Sequence, residues 1–511
     1  MLGHKAKIFQ THRAVSIEDL VPLNNLYRKV EAKVDLTFVR DLVKDSYSSR
    51  MGRPSIDPVV FFKLQLIMFF EGFRSERQLM EQVNLNLAFR WYIGYDLDEK
   101  VPDHSSLSKI RERYGLEVFQ RFFEQIVELC IEAGLVWGQE LYFDGTKVHA
   151  NADVEGMVPR FYYEVKQHLK DLFRQDEPSE ETTDDFKADE PQSASTRRTF
   201  VEKYDGTRIT SRNKPWYERT TDNQISPTDP DATPMKRFTG DKAQLGYHTH
   251  YVVDGGKDRI IMAVLVTPSS IMDNTPMLDL AFWTRFRWHL HPKIAVGDAE
   301  YGTVLNIAGL ERSGIQAFLA TADFSTRTKF YPLEQFEYDP ERDMYMCPQG
   351  HTLPLQSRSY SNQYFRYRAD AETCQACPAR RKCTTSETGR TIHRSFFQAE
   401  LDRAEGYRDT DAHQKAMNKR KVWPEPLFGE AKQWHGMDKF RLRRLRKVNI
   451  EGLMIAAGLN LKRLLSRKER PKPLKPAVSR VLDVPVSLAG TFLRRFLSFG
   501  NEISCYKPDG L

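Results

Sequence analysis

The chain has 511 residues, 40 % of them hydrophobic, with 31 Phe, 21 Tyr and 7 Trp. That length points to two to four compact units, and the aromatic content excludes a chain that stays disordered. The formal charge of +7 is unevenly spread: 419–472 is heavily basic and 175–190 acidic, which suits a polyanionic partner or a solvated basic face.

The opening stretch, MLGHKAKIFQTHRAV, lacks the apolar core of a secretory signal. The longest apolar run, VVFFKLQLIMFF at 59–70, is interrupted by Lys63 and Gln65 and is too short to cross a bilayer. The expected location is cytoplasmic, with no membrane contact. Six cysteines in that compartment are expected as thiols or metal ligands, not disulfides.

Helical signals run from 57 to about 135. Asp57-Pro58 offers an N-cap followed by a proline at the first helical position. Ser75 and Gln78 have capping-box spacing. DHSSLSKIRERYG opens a further helix, and Phe119, Phe122, Phe123, Ile126 and Val127 recur at helical spacing on the next. Several short helices with turns between them fit a helix-turn-helix-like bundle or a plain helical core.

At 139–150 the pattern turns to strand, with an apolar alternation that runs into Asp144-Gly145 and past it. Within 151–240 the polar tract around 174–199 reads as a mobile insertion. GYHTHYVVDGG and RIIMAVLVTP read as two strands, with Asp254-Gly255 suited to a tight hairpin turn. A helix at 275–290, a short buried strand within 293–302 ending in Gly297-Asp298, a helix at 305–314 and a strand at 316–321 follow. Helices return from about 411 to 467. The order describes an α/β fold with a mixed sheet whose early part is antiparallel.

Asp144 and Asp298 thus stand in or after apolar strands, where a carboxylate is held rigidly and partly desolvated, a costly position unless a cation or donor meets it. A third acid, Glu425, lies between Pro424 and Pro426 in WPEPLFGEAKQW. Three carboxylates from separated segments could hold hard divalent cations such as Mg²⁺, and two such ions serve phosphodiester chemistry. Each aspartate taken singly could equally be a turn residue. Asp254, Asp273 and Glu430 are competing acids, and Asp273 follows a loop-like PSSI.

The run Asn418-x2-Lys421-x3-Glu425-x6-Lys432 resembles the Tyr-x2-Arg-x3-Glu-x6-Lys signature of DDE transposases from bacterial insertion sequences, with Asn418 and Lys421 replacing its tyrosine and arginine. Lys421 keeps the charge without the planar bidentate fork. The stretch from GRPSIDP to RERYG, the segments FDGTKVHANA, GYHTHYVVD and AVGDAEYG, and the run from PLFGEAKQW to NLKRL are similar to successive parts of the same family.

The resemblance implies a ribonuclease-H-like α/β catalytic domain at 136–467, with Asp144 and Asp298 on neighbouring strands and Glu425 at or near a helix start. It implies an N-terminal helical DNA-binding domain of helix-turn-helix type at 1–135 and a tail at 468–511. The three acids are expected to bind Mg²⁺ or Mn²⁺, two ions in all. They would catalyse hydrolysis at transposon ends and then attack of the freed 3′-hydroxyl on target DNA, with no covalent protein–DNA intermediate. Lys432, on the same helical face as Glu425, is expected to contact a phosphate. Partners implied are double-stranded DNA and a second copy in a homodimer, with the protein on the nucleoid when bound. A nuclease without strand transfer and an inactive DNA-binding regulator are the alternatives.

The tract DKFRLRRLRK places Lys439, Arg441, Arg443, Arg444, Arg446 and Lys447 together, a surface for DNA-backbone contacts that position without specifying sequence. Cys347, Cys374, Cys377 and Cys383 cluster within 340–390. Their C-x2-C-x5-C group, with the earlier cysteine and His351 nearby, fits a structural Zn²⁺ insertion. Related transposases carry a similar insertion between the second aspartate and the glutamate. Cys130 reads as a core residue.

Overall fold

A computed structural model describes residues 15–47, 55–176, 224–236, 240, 242–319 and 329–467. Most of the polar insertion expected around 174–199 and the tail from 468 lie outside these residues. The described chain divides into two compact units, one made of residues up to 319 together with 403–467, the other of 329–402.

The larger unit begins with helices whose ends are where the capping residues put them. Asp57 accepts a hydrogen bond from the Val59 N–H at 2.9 Å and Pro58 occupies the first turn of Pro58–Phe70. Ser75 caps Glu76–Leu85 by accepting from the Gln78 N–H at 3.4 Å. His104–Glu132 is interrupted at Gly115, whose φ of +64° lies in the left-handed region, a conformation that glycine adopts without a Cβ penalty. Pro58–Phe70 is buried on nearly every side, and Lys63, the charge that breaks its apolar run, is paired with Glu31 at 2.7 Å.

Strands β1 (Glu140–His149), β4 (Thr233–Met235), β5 (Gln244–Asp254), β6 (Ile261–Pro268), β7 (Ile294–Gly297) and β8 (Gln316–Leu319) form one mixed sheet, while β2 (Val158–Pro159) and β3 (Gln224–Ile225) pair separately. The order is β4-β5-β1-β7-β8, with β6 also on β5. β1, β5 and β6 are antiparallel neighbours, whereas β7 runs parallel to both β1 and β8. The Asp144-Gly145 pair is therefore no turn: β1 passes straight through it. The β5–β6 connection is wider than a two-residue hairpin, because Asp254 ends β5 and Ile261 opens β6.

β6 is buried at all eight positions, yet it is an edge strand with unpaired backbone groups to satisfy. The helix Leu445–Ser466 satisfies them. Asn449 exchanges two hydrogen bonds with the Val266 backbone at 2.8 Å each, and Asn460 does the same with Ile261 at 2.9 Å. Eleven residues of helix and five of strand both span about 16.5 Å, so the two amides meet the strand in register. The opposite side of this helix packs on His104–Glu132 and Pro58–Phe70, and Gly458 lets Phe69 approach to where a Cβ would collide. The N-terminal helices consequently belong to the same unit as the sheet, and residue 135 is not a boundary of packing. One apolar helix with two buried faces joins what composition alone separates.

The smaller unit is a five-stranded antiparallel sheet built from Glu337–Asp339, Met344–Met346, Thr352–Ser359, Tyr364–Arg368 and Thr391–Ser395. Its core is Phe336, Tyr345, Leu353, Tyr367, Ala369 and Ile392, with Cys347, Cys374 and Cys383 packed beside it. No helix among the described residues is long and apolar enough to cross a membrane.

Candidate active site

The strand pairing sets two carboxylates level with each other. Tyr142 of β1 is in parallel register with Val296 of β7, so two residues further along each strand stand Asp144 and Asp298. Asp144 lies inside β1, partly buried, and its Oδ1 accepts the Gly145 N–H at 3.0 Å. Asp298 follows the last residue of β7 and caps the turn Ala299–Tyr301, accepting from the Glu300 N–H at 2.9 Å.

Glu425 is the first residue of the helix Glu425–Trp434, with Pro426 in its first turn. There a proline removes no helical hydrogen bond, and a carboxylate meets the positive end of the helix dipole. Leu427, Phe428 and Ala431 form the buried side of this helix. Phe428 stacks on Tyr251 with ring centroids 4.4 Å apart, and Tyr251 is the cross-strand partner of Asp144. From the other end of the helix, Lys432 donates to Thr146 Oγ1 at 2.6 Å. The helix therefore lies along β1, anchored opposite Asp144 and tied to the residue two beyond it.

Electrostatics join the three acids. Burial pushes the Asp144 carboxyl up to about 7; the negative charges of Asp298 and Glu425 push the same way, while the Arg420 guanidinium and the Gly145 N–H oppose them. A partly buried carboxylate that feels two others is short of positive charge. This is the circumstance in which divalent cations bind carboxylates, so the donor set fits Mg²⁺ or Mn²⁺.

Arg420 is the residue that sequence spacing misses. The signature position falls on Lys421, which is exposed, as is Asn418. The helix Asp411–Arg420 turns Ala416 and Arg420 inward instead, one turn apart on one face. Its neighbour Lys419 reaches Glu140 Oε2 and the Gly255 carbonyl, each at 2.6 Å. The only sequence signal for Arg420 is its basic character next to the expected position.

The competing acids have other engagements. Asp254 accepts the backbone N–H groups of Trp137, Gly138 and Gly256 at 3.0, 2.7 and 2.8 Å. Glu430 pairs with Lys462 and Arg463, and its carboxyl is held down to about 2, first by the His435 hydrogen bond and then by these two cations. Asp273 stands beside His248 and His250. Among the described residues, those three are the group whose ligating atoms all lie within 4.8 Å of one another.

The basic tract divides by burial. Lys439, Arg443, Arg444 and Arg446 are exposed, while Lys447 pairs with Glu112. Arg441 is turned inward to Glu76 at 3.2 Å, and its backbone N–H meets the Glu451 carboxylate. Glu76 also holds Arg111, and accepts from Ser108 Oγ at 2.8 Å.

In the smaller unit, Cys347, Cys374, Cys377, Cys383 and His351 line one cavity of about 20 Å³, room for roughly one water-sized body. None of the four cysteines is in a disulfide. The His351 N–H donates to Cys347 Sγ at 3.3 Å. Burial raises the Cys383 thiol, and the other three sulfurs add to the shift while Arg390 opposes it. Cys130 is buried in the larger unit.

Two family models match the chain: a transposase domain at residues 15–113 and a transposase DDE domain at residues 346–465. Glu425, Lys432 and the four clustered cysteines fall within the second match, whereas Asp144 and Asp298 lie between the two. No curated protein and no solved structure matches the chain.

Proposed function

The chain belongs with the DDE transposases of insertion sequences, and from that premise we propose that Asp144, Asp298 and Glu425 are its catalytic triad. The reading rests on one observation above others: Asp144 feels both Asp298 and Glu425 at the level where β1 and β7 run parallel beneath the Glu425 helix. The sheet order β6-β5-β1-β7-β8, three antiparallel strands followed by two parallel ones, supports a ribonuclease-H-like core. The helices of 15–132 are assigned to reading the transposon ends.

Asp144, Asp298 and Glu425 would hold the divalent ions. When bound, Mg²⁺ or Mn²⁺ supplies activation of the attacking oxygen and neutralisation of charge on the phosphate. The chain's own residues do the positioning. β1 and β7 fix two carboxylates on rigid backbone, and the Phe428–Tyr251 stack fixes the helix that presents the third. Lys432, steadied by Thr146, offers a point charge to a phosphate beside the acids, and Arg420 limits the repulsion that Asp144 meets. The exposed cations of 439–447 give a sequence-independent hold on the DNA backbone. Two ends joined in one reaction call for a homodimer. The cysteine cavity, with its four soft donors, fits a structural Zn²⁺.

A strand-transfer assay with cognate terminal repeats, target DNA and Mg²⁺ tests the proposal. Cleavage followed by joining is the expected result. Cleavage alone would make the protein a nuclease, and binding without cleavage would make it a regulator.

A further inference from the structure

Asp144 and Gly145 are consecutive on β1, so they face opposite sides of the sheet. The Gly145 side carries a second cluster. Its cross-strand partner is His250, and a Cβ at position 145 would come within 3.1 Å of Asp273 Oδ1 and 3.4 Å of His250 Nδ1. His248 shares the β5 face of His250, and the two histidines are only 6 % and 1 % exposed.

These side chains are poorly satisfied as hydrogen-bonding groups. His250 Nδ1 and His248 Nε2 are buried without a partner. His250 Nδ1 lies 3.9 Å from Asp273 Oδ1, too far for a hydrogen bond. Two ligands on one tetrahedral ion are about 3.4 Å apart, so a small approach would let both share a cation. His248 Nδ1 stands 2.9 Å from the same oxygen. His250 has the outer contact that holds a ligating ring in place, its Nε2 lying 2.9 Å from Thr267 Oγ1. His248 Nδ1 is also 3.0 Å from the Ile271 carbonyl, which leaves the unpartnered Nε2 of His248 as its ligating atom.

We propose that His248, His250 and Asp273 form a binding site for a divalent transition-metal ion, separate from the three-acid site and on the opposite side of β1. Two imidazoles and one carboxylate select zinc-, nickel- or cobalt-like ions over Mg²⁺. Three protein ligands leave a position for water, on the side where Asp273 is 21 % exposed. Such an ion would tie β5 to the segment entering the helix Met277–Arg287, directly behind the strand that carries Asp144.

The test uses the full chain carrying Asp144→Asn, which disables the three-acid site, and any Co²⁺ taken up by the cysteines is told apart by its thiolate charge-transfer band. Titration with Co²⁺, followed by visible absorption and calorimetry, is expected to show one tight equivalent without a thiolate charge-transfer band. Adding Asp273→Asn, close to isosteric, should weaken binding at least ~10-fold, as should His250→Gln. Absence of Co²⁺ binding, or unchanged affinity in both variants, would overturn the proposal. Should His250→Gln fail to fold by circular dichroism, the Asp273→Asn result decides alone. Because this background lacks Asp144, the outcome is independent of whether the unaltered chain cleaves DNA.

Discussion

The two units solve the problem of stability by different means. The larger one has a continuous apolar interior: every residue of β6 is buried, and the helix Leu445–Ser466 is buried along most of its length. The smaller one closes five short strands over six buried residues, with cysteines at the margin of that core. Small cores of this kind are commonly completed by a metal or a cross-link. The contrast teaches where charge is tolerated. A large interior can carry a carboxylate such as Asp144 against its own desolvation, while the small one keeps its cysteines at the margin of its core.

The sharpest way to break this comparison is to remove the charge from the larger unit. Asp144→Asn is expected to lower cleavage and joining at least about 10³-fold while leaving end binding intact and the melting temperature unchanged or raised. Removing a desolvated charge removes the cost of burying it. A variant that cleaves at the wild-type rate would falsify the assignment. In the smaller unit the sign reverses. Chelation, or Cys374→Ser, should abolish cooperative unfolding of 329–402, because binding energy of about 10 kcal/mol for a structural zinc rivals the stability of a whole domain. Limited proteolysis within 329–402, with 55–176 still protected, is the expected readout.

A smaller effect is expected where the larger unit relies on polar groups for its packing. Asn460→Leu keeps the volume but strands the Ile261 N–H and carbonyl, at about 1–3 kcal/mol for each buried group left unpaired. Urea denaturation should show a lower midpoint, and Asn460→Leu should cost more than substitution of exposed Asn418.

What could be read from the sequence follows from the range of the interactions involved. Caps at Asp57 and Ser75 are local, so the residues announce them, and the strands around Asp144 and Asp298 are visible as apolar runs. A spacing and two prolines single out Glu425 as a candidate. Arg420 has no such mark, because the signature names position 421, and the rotation of the helix Asp411–Arg420 decides which cation turns inward. The approach of His250 to Asp273 depends on how β5 meets a loop 23 residues later. The Asn449 and Asn460 contacts likewise need the helix and strand laid side by side, since an asparagine in an apolar helix carries no label naming its partner.

The pH dependence of stability supplies the subtlest test, because it reads the strained carboxylate without any DNA. The Asp144 carboxyl is raised to about 7 in the folded chain from an ordinary value of 3.8. Between those values the folded state holds a proton that the unfolded state has lost. The contribution of Asp144 is therefore full below pH 4 and is lost as pH rises through 7, with a slope of at most about 1.4 kcal/mol per pH unit. Glu430, held down to about 2, gives the opposite slope at lower pH, so total stability alone does not isolate either group. The difference between wild type and Asp144→Asn does: it should change steadily from pH 4 to 7 and level off above. Adding Mg²⁺ should flatten that difference, since a cation beside Asp144, Asp298 and Glu425 favours the charged carboxylate and displaces the proton. A difference curve that ignores Mg²⁺ would place the ions elsewhere and separate the buried charge from the chemistry assigned to it.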